Sequence, residues 1–155
     1  MRGRSIHRSA PADETLTFRL VTRVTSVQSV DIGDVDGHVA SLARFSGLAF
    51  FPDGTVGTVS FVSASDYTKG AGAFTLYPIL AFDDGSVLWI RSVGTGTIDG
   101  AKTQFVGTLT VVGGKGRFEG ATGDGTLTGT RYTPLSIGAD LVSDYTVNLR
   151  QQPNR

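Results

Sequence analysis

The chain has 155 residues, with 14 lysines and arginines against 14 aspartates and glutamates, and it has no cysteine. One domain is the natural expectation, large enough to bury roughly 70% of its unfolded surface. The charge balance removes the long-range field that a nucleic-acid or anionic-membrane binder uses, and the missing thiols exclude disulfides, thiolate metal sites and cysteine nucleophiles.

Twenty-one glycines beside 39% hydrophobic residues make a chain too apolar for disorder. Glycine among valine, threonine and phenylalanine reads as short strands with tight turns, the composition of an all-β domain.

Residues 1–14 read as a flexible N-terminal arm. Its Arg2, Arg4 and Arg8 form the one basic cluster, and His7 lies among them. The arm has no apolar stretch of signal-peptide length, and no run in the chain approaches the ~20 apolar residues of a membrane helix. A soluble, cytoplasmic protein without nucleic-acid or membrane partners is expected. Residues 15–151 form the expected single barrel domain, and 152–155 a short tail.

From Leu16 the pattern has period two. Leu16, Phe18, Leu20, Thr22 and Val24 alternate with Thr17, Arg19, Val21 and Arg23, as in a half-buried strand. Further strands are expected over Val39–Phe51, Thr55–Ala64, Ala71–Phe82, Ser86–Thr97, Thr103–Val112, Gly125–Thr133 and Leu141–Arg150, making eight. Asp-Gly pairs at 36–37, 53–54, 84–85, 99–100 and 124–125 supply the positive φ of tight turns. The longer links are Val27–His38 and Gly113–Asp124. No link has the length or 3.6-residue apolar period of a crossover helix.

Short links make neighbours antiparallel, and closing the sheet removes its two edges. The expected fold is an eight-stranded antiparallel up-and-down β-barrel, with room inside for packed side chains or one small ligand. Pro78, inside "TLYPILAF", cannot donate to the ladder, so a bulge or break is expected there. The alternative is an open sandwich with that strand at its edge.

The stretch "VVGGKGRFEGATGDGTLTG" carries Gly114-x-Gly116-x-x-x-Gly120, superficially a dinucleotide fingerprint. Such a loop works only where it opens a long helix, and the glycines at 123 and 125 leave no room for one. Gly113, Gly114, Gly116, Phe118 and Gly123 instead resemble the glycine corner shared by plant allene oxide cyclases and dirigent proteins. The following Glu119-Gly120 is closest to the cyclase version. The resemblance implies a small antiparallel barrel, often trimeric, whose cavity folds a flexible apolar molecule before ring closure or coupling. Bacterial spirotetronate-type cyclases share that barrel. Phe118 would plug one barrel end. The family's catalytic residues have no counterparts here.

Other chemistry is thin. Asp31, Asp34, Asp36 and His38 offer oxygen ligands, but the carboxylate that closes a calcium loop is missing, so a solvated turn is the reading and no metal is expected. His38 is the only imidazole base outside the arm, which argues against a hydrolytic triad. Glu14 and Glu119 are the only glutamates, so a paired-carboxylate glycosidase would depend on turn aspartates.

The aromatic residues remain. Phe61, Tyr67, Trp89, Phe105 and Tyr132 are candidate ligand-binding residues, and they serve equally as a plain barrel core. Arg91 shares a strand face with Val87, Trp89 and Val93. Pointing inward it would polarise a substrate carbonyl with Tyr77 and Tyr145, and pointing outward it is surface. Arg44 is similar. Strands "SVLWIRSV" and "AFTLYPILAF" are apolar on both faces, which requires a homo-oligomer, dimer or trimer, to cover the outer one.

Three functions follow. One is a cyclase- or isomerase-type enzyme without cofactor, acting on a hydrophobic, unsaturated small molecule chiefly by orientation. The second is a lipocalin-like binding protein with no turnover. The third is a filled barrel serving only as an interaction domain.

Overall fold

The computed structural model describes residues 12–151. Nine strands follow one another: β1 (Ala12–Asp31), β2 (His38–Phe50), β3 (Val56–Thr68), β4 (Ala71–Leu76), β5 (Ile79–Ala81), β6 (Val87–Asp99), β7 (Lys102–Lys115), β8 (Thr122–Arg131) and β9 (Asp140–Gln151). Every pairing is antiparallel. Each strand pairs with its neighbour in sequence, except that β4 and β5 both pair with β3 and β6 rather than with each other, and β1 pairs with β9, so the sheet closes.

Strands β4 and β5 count as one. Both lie between β3 and β6, and Pro78 stands at the interruption. Without an N–H it leaves the ladder, which resumes at Ile79. The result is the eight-stranded up-and-down barrel with the break at the expected residue; the open sandwich is excluded by the β1–β9 pairing. No helix among the described residues is long and apolar enough to cross a membrane.

The seam between β1 and β9 shows what fixes register. Arg19, Arg23 and Asp13 lie directly opposite Asp144, Asp140 and Arg150. The paired charges meet at 2.8, 2.9 and 3.1 Å on the outer surface. Exposed pairs contribute about 0–1 kcal/mol each, so their effect is mainly on alignment. The other face stabilises the seam more, because Phe18, Leu20, Tyr145, Val147 and Leu149 are buried there. Burying each such side chain contributes about 1.5–3 kcal/mol.

Several expectations shift. The first strand begins at Ala12, because residues 12–14 pair with 151–149 of β9. It also runs on to Asp31 past a bulge between Val24 and Ser26, beyond which it pairs with β2 alone. Residues 1–11, with Arg2, Arg4, His7 and Arg8, lie outside the described residues, as do residues 152–155. Four of the five Asp-Gly glycines have positive φ in turns: Gly37, Gly54, Gly85 and Gly100. Gly125 sits inside β8 instead, where a Cβ would lie 1.9 Å from the carbonyl oxygen of Thr146. Close strand approach, not a turn, demands glycine there.

The two barrel ends differ. At the lower end, a 3-10 turn over Gly116–Phe118 folds the β7–β8 link inward. Gly116 has φ 64°, and a Cβ on Gly114 would meet the carbonyl oxygen of Val87 at 2.2 Å. Phe118, 2% exposed, joins a chain of rings: Phe118–Phe82 at 5.5 Å, Phe82–Phe51 at 5.5 Å and Phe51–Phe18 at 5.0 Å. This end is sealed. The upper end is framed by loops 32–37, 69–70, 100–101 and 132–139.

Candidate functional site

Strand alternation decides which side chains enter the barrel. On β6, Leu88, Ile90 and Ser92 are buried, so Trp89 and Arg91 face outward. On β8 and β9 the inward set continues from Leu127 to Arg131, and from Leu149 up to Leu141. On β3 it includes Phe61, Ser63, Ser65 and Tyr67.

The lower interior is packed. Phe45 and Phe61 stack at 4.5 Å, and Phe18 and Tyr145 at 5.3 Å. The hydroxyls of Tyr145, 1% exposed, and Ser92 lie buried with no partner in hydrogen-bond geometry. Burial pushes the Tyr145 phenol up, and the nearby Ser92 opposes this only in part.

Space opens above. A vestibule of about 430 Å³ lies within the upper loops and strand ends, with Tyr67, Thr103, Arg131 and Leu135 at its base. The same Tyr67, Arg131 and Leu135 cap a deeper pocket of about 20 Å³, room for roughly one water. Phe74, Phe105, Leu127 and Leu141 make the pocket's apolar wall, and Ser63, Ser65 and Ser143 its hydroxyl side. The wall exists because β6 carries glycine here. Cβ atoms on Gly94 and Gly96 would come within 2.8 and 2.9 Å of the Phe74 and Phe105 rings, which meet edge to face at 5.6 Å.

Arg131 dominates the electrostatics. It is 5% exposed, and every other arginine of the described residues is exposed. Its Nε donates to the Thr133 carbonyl at 3.0 Å, and Nη2 to Thr103 Oγ1 at 3.4 Å. The guanidinium lies 5.2 Å from the centroid of Phe105. No carboxylate among the described residues pairs with it within 4.0 Å, although four exposed arginines have aspartate partners. Burial lowers its pKa, with Tyr67 opposing; burial likewise raises that of Tyr67, with Arg131 opposing.

The structure brings together only part of the residue set expected from sequence. Tyr67 and Phe105 line the pocket. Phe61 and Tyr145 lie inside, in the packed layers beneath it. Arg91, Trp89, Tyr77 and Tyr132 lie on the outer wall, Tyr77 46% and Tyr132 45% exposed, and Arg44 is exposed too. Arg91, Tyr77 and Tyr145 therefore do not converge on one point. Their place is taken by Arg131, the serines and Leu135. The signal for Arg131 was strand parity: it falls two steps of two after Leu127.

His38 stands at the rim. Its Nδ1 lies 2.7 Å from Asp34 Oδ1 and its Nε2 2.5 Å from Asp66 Oδ1, clipping the β1–β2 loop to β3. Both ring nitrogens are engaged, and no group of three histidine, cysteine, aspartate or glutamate side chains among the described residues is placed to hold a metal ion.

No protein-family model matches the chain, and no curated protein matches it either. Solved structures do. The pterocarpan synthase dirigent protein GePTS1 superposes with TM-score 0.56 at 15% identity, over 99% of this chain and 98% of that one. A second pterocarpan synthase dirigent protein, PsPTS1, gives 0.53 at 16% identity, over 95% and 100%. A conserved protein of unknown function from Rhodopseudomonas palustris gives 0.58 at 15% identity, over 90% and 99%. The likeness is one of fold: the chain forms a barrel similar to that of the two dirigent proteins.

Proposed function

We propose that the upper pocket binds a compact hydrophobic, unsaturated molecule and steers it toward ring closure or isomerisation without a cofactor. The observation that carries this reading is that an open vestibule and a deeper aromatic pocket lie on either side of the same three residues, Arg131, Tyr67 and Leu135. The apolar wall would hold the guest's body, and this neck of three residues its polar group. Arg131 would stabilise negative charge developing on a carbonyl oxygen, in a site where burial strengthens every electrostatic contact. The solved barrels named as pterocarpan synthase dirigent proteins lend support, because a barrel of this kind is there associated with a synthase.

A carrier of the same guest is the second reading. It is favoured by the pocket lining, whose ionisable groups are Arg131 and Tyr67, with no carboxylate or imidazole to move a proton. The two separate in one experiment: incubate the protein with a panel of unsaturated aryl ketones and enones, and recover them by chiral chromatography with mass detection. An isomer of unchanged mass, formed by the wild type and lost in Arg131→Gln, supports the enzyme. Retention with every compound recovered unchanged supports the carrier. Failure to retain any compound refutes both.

The outer wall supports self-association. Val21, Leu48, Phe50, Val56, Tyr77 and Ile79 are exposed apolar residues on neighbouring strands, with Trp89 half-buried beside Ile79. We infer a homo-oligomer that covers this stripe.

A further inference from the structure

We propose that the ligand of the upper pocket is a compact monoanion, an apolar ring bearing one carboxylate, which pairs with Arg131 after Leu135 withdraws. This deepens the reading above and rests on it.

The first ground is charge. A buried cation without a counter-charge is costly, and removing it from water is repaid only by a close, well-oriented opposite charge. On the surface this chain pairs Arg19, Arg23, Arg117 and Arg150 with Asp144, Asp140, Asp84 and Asp13. At the one arginine buried among the described residues, where pairing counts most, the protein supplies a carbonyl and a threonine hydroxyl in hydrogen-bond geometry and the Tyr67 phenol close by, but no carboxylate. Those two contacts, with Phe105 beneath, fix the plane of the guanidinium and leave further N–H donors unused. A planar fork held rigid suits a carboxylate, which accepts two parallel hydrogen bonds from it.

The second ground is size. The deep pocket admits about one water as it stands, and Leu135, half-buried, plugs its top from the 132–139 loop. A leucine's departure from a packed site opens on the order of 150 Å³, enough for a benzene-sized ring. A long acyl chain does not fit, because Phe45, Phe61, Tyr145 and Phe18 fill the barrel below. The third ground is the mixed lining: the cation lies at the neck, and below it the hydroxyls of Ser63, Ser65 and Ser143 share the pocket with the apolar side chains of Phe74, Phe105 and Leu127.

Isothermal titration with trans-cinnamate and its neutral isostere cinnamamide tests this on the full-length protein. Wild type is expected to bind cinnamate at least about tenfold more tightly, a charge-assisted bidentate pair against a neutral contact. Arg131→Gln is expected to bind both alike, and Arg131→Lys, which keeps the charge without the fork, to fall between. Circular dichroism verifies that each variant folds, and the wild-type comparison decides even where a variant does not. Equal affinity of wild type for the two compounds overturns the carboxylate assignment and leaves the pocket reading standing. A preference that survives in Arg131→Gln overturns it also. Binding of neither compound overturns this assignment and the pocket reading together.

Discussion

The guanidinium of Arg131 lies over the ring of Phe105, 5.2 Å from its centroid, and no carboxylate among the described residues pairs with it. A group so placed weakens the empty protein. Replacing a buried ion pair by apolar side chains of similar volume is often neutral or stabilising by about 1–4 kcal/mol, and here the single charge leaves no carboxylate stranded when it is removed. Arg131→Met is therefore expected to unfold at the same temperature as wild type or a higher one, while losing its preference for an anionic guest. A clear loss of stability in thermal denaturation would show that Arg131 is a structural residue.

Gly96 holds the pocket wall open. Its added Cβ would lie 2.9 and 3.1 Å from Phe105 ring atoms and 3.3 Å from Thr103 Cγ2, contacts with side chains that can give way. Gly96→Ala should push the Phe105 ring toward the pocket, weaken guest binding several-fold and cost about 1 kcal/mol of stability. Calorimetric titration beside urea denaturation checks both. Unchanged affinity would place the guest elsewhere.

The rim clip gives stability a pH dependence. The hydrogen bond His38 donates to Asp34, then that to Asp66, raises the His38 pKa above its ordinary 6.5. A raised histidine pKa contributes stability that is complete below 6.5 and is lost as pH rises through the folded value. Asp34 works in the opposite sense: its His38 hydrogen bond lowers its pKa below 3.8, so its contribution holds above 3.8 and disappears as pH falls through the lowered value. Melting temperatures measured from acid to mildly alkaline pH should decline above the ordinary histidine range in wild type and lose that decline in His38→Gln. Parallel curves for the two proteins would show that the clip does not contribute.

Most of the architecture was legible because the inward face alternates cleanly where both neighbours share the core. Phe18-Leu20-Thr22-Val24 in β1 is such a run, and Pro78 marked its own interruption. The upper part of β1, from Ser26 to Asp31, was invisible as a strand, since it rises beyond β9, pairs with β2 alone and gives the core only Val27. In β6 the pattern misled. Val87, Trp89 and Val93 make the outer face as apolar as the inner Leu88 and Ile90, so period two fixed a strand but not its inward side. Arg131 escaped for the converse reason. It follows Leu127 and Gly129 on the inward face, and neither glycine nor arginine reads as core.

That apolar outer face has a consequence of its own. Ile79 lies opposite Trp89 on β6 and opposite Ser60 on β3, at the middle of the exposed stripe. Ile79→Glu should lower the sedimentation coefficient by dissolving the oligomer, with the fold kept. Trp89, being outside, should change its emission on dissociation and not on addition of a pocket guest. An unaltered sedimentation profile would contradict the inferred interface.

Leucine-methyl NMR during titration with neutral cinnamyl alcohol reads the guest's position from inside the barrel. Leu127, Leu135 and Leu141 surround the pocket, Leu80, Leu88 and Leu149 pack beneath it, and Leu42 and Leu48 are exposed outside. The expected result is movement of the first group, largest at Leu135, with the second group still. Shifts confined to Leu42 and Leu48, or none at all, would contradict a guest held at the neck of the barrel.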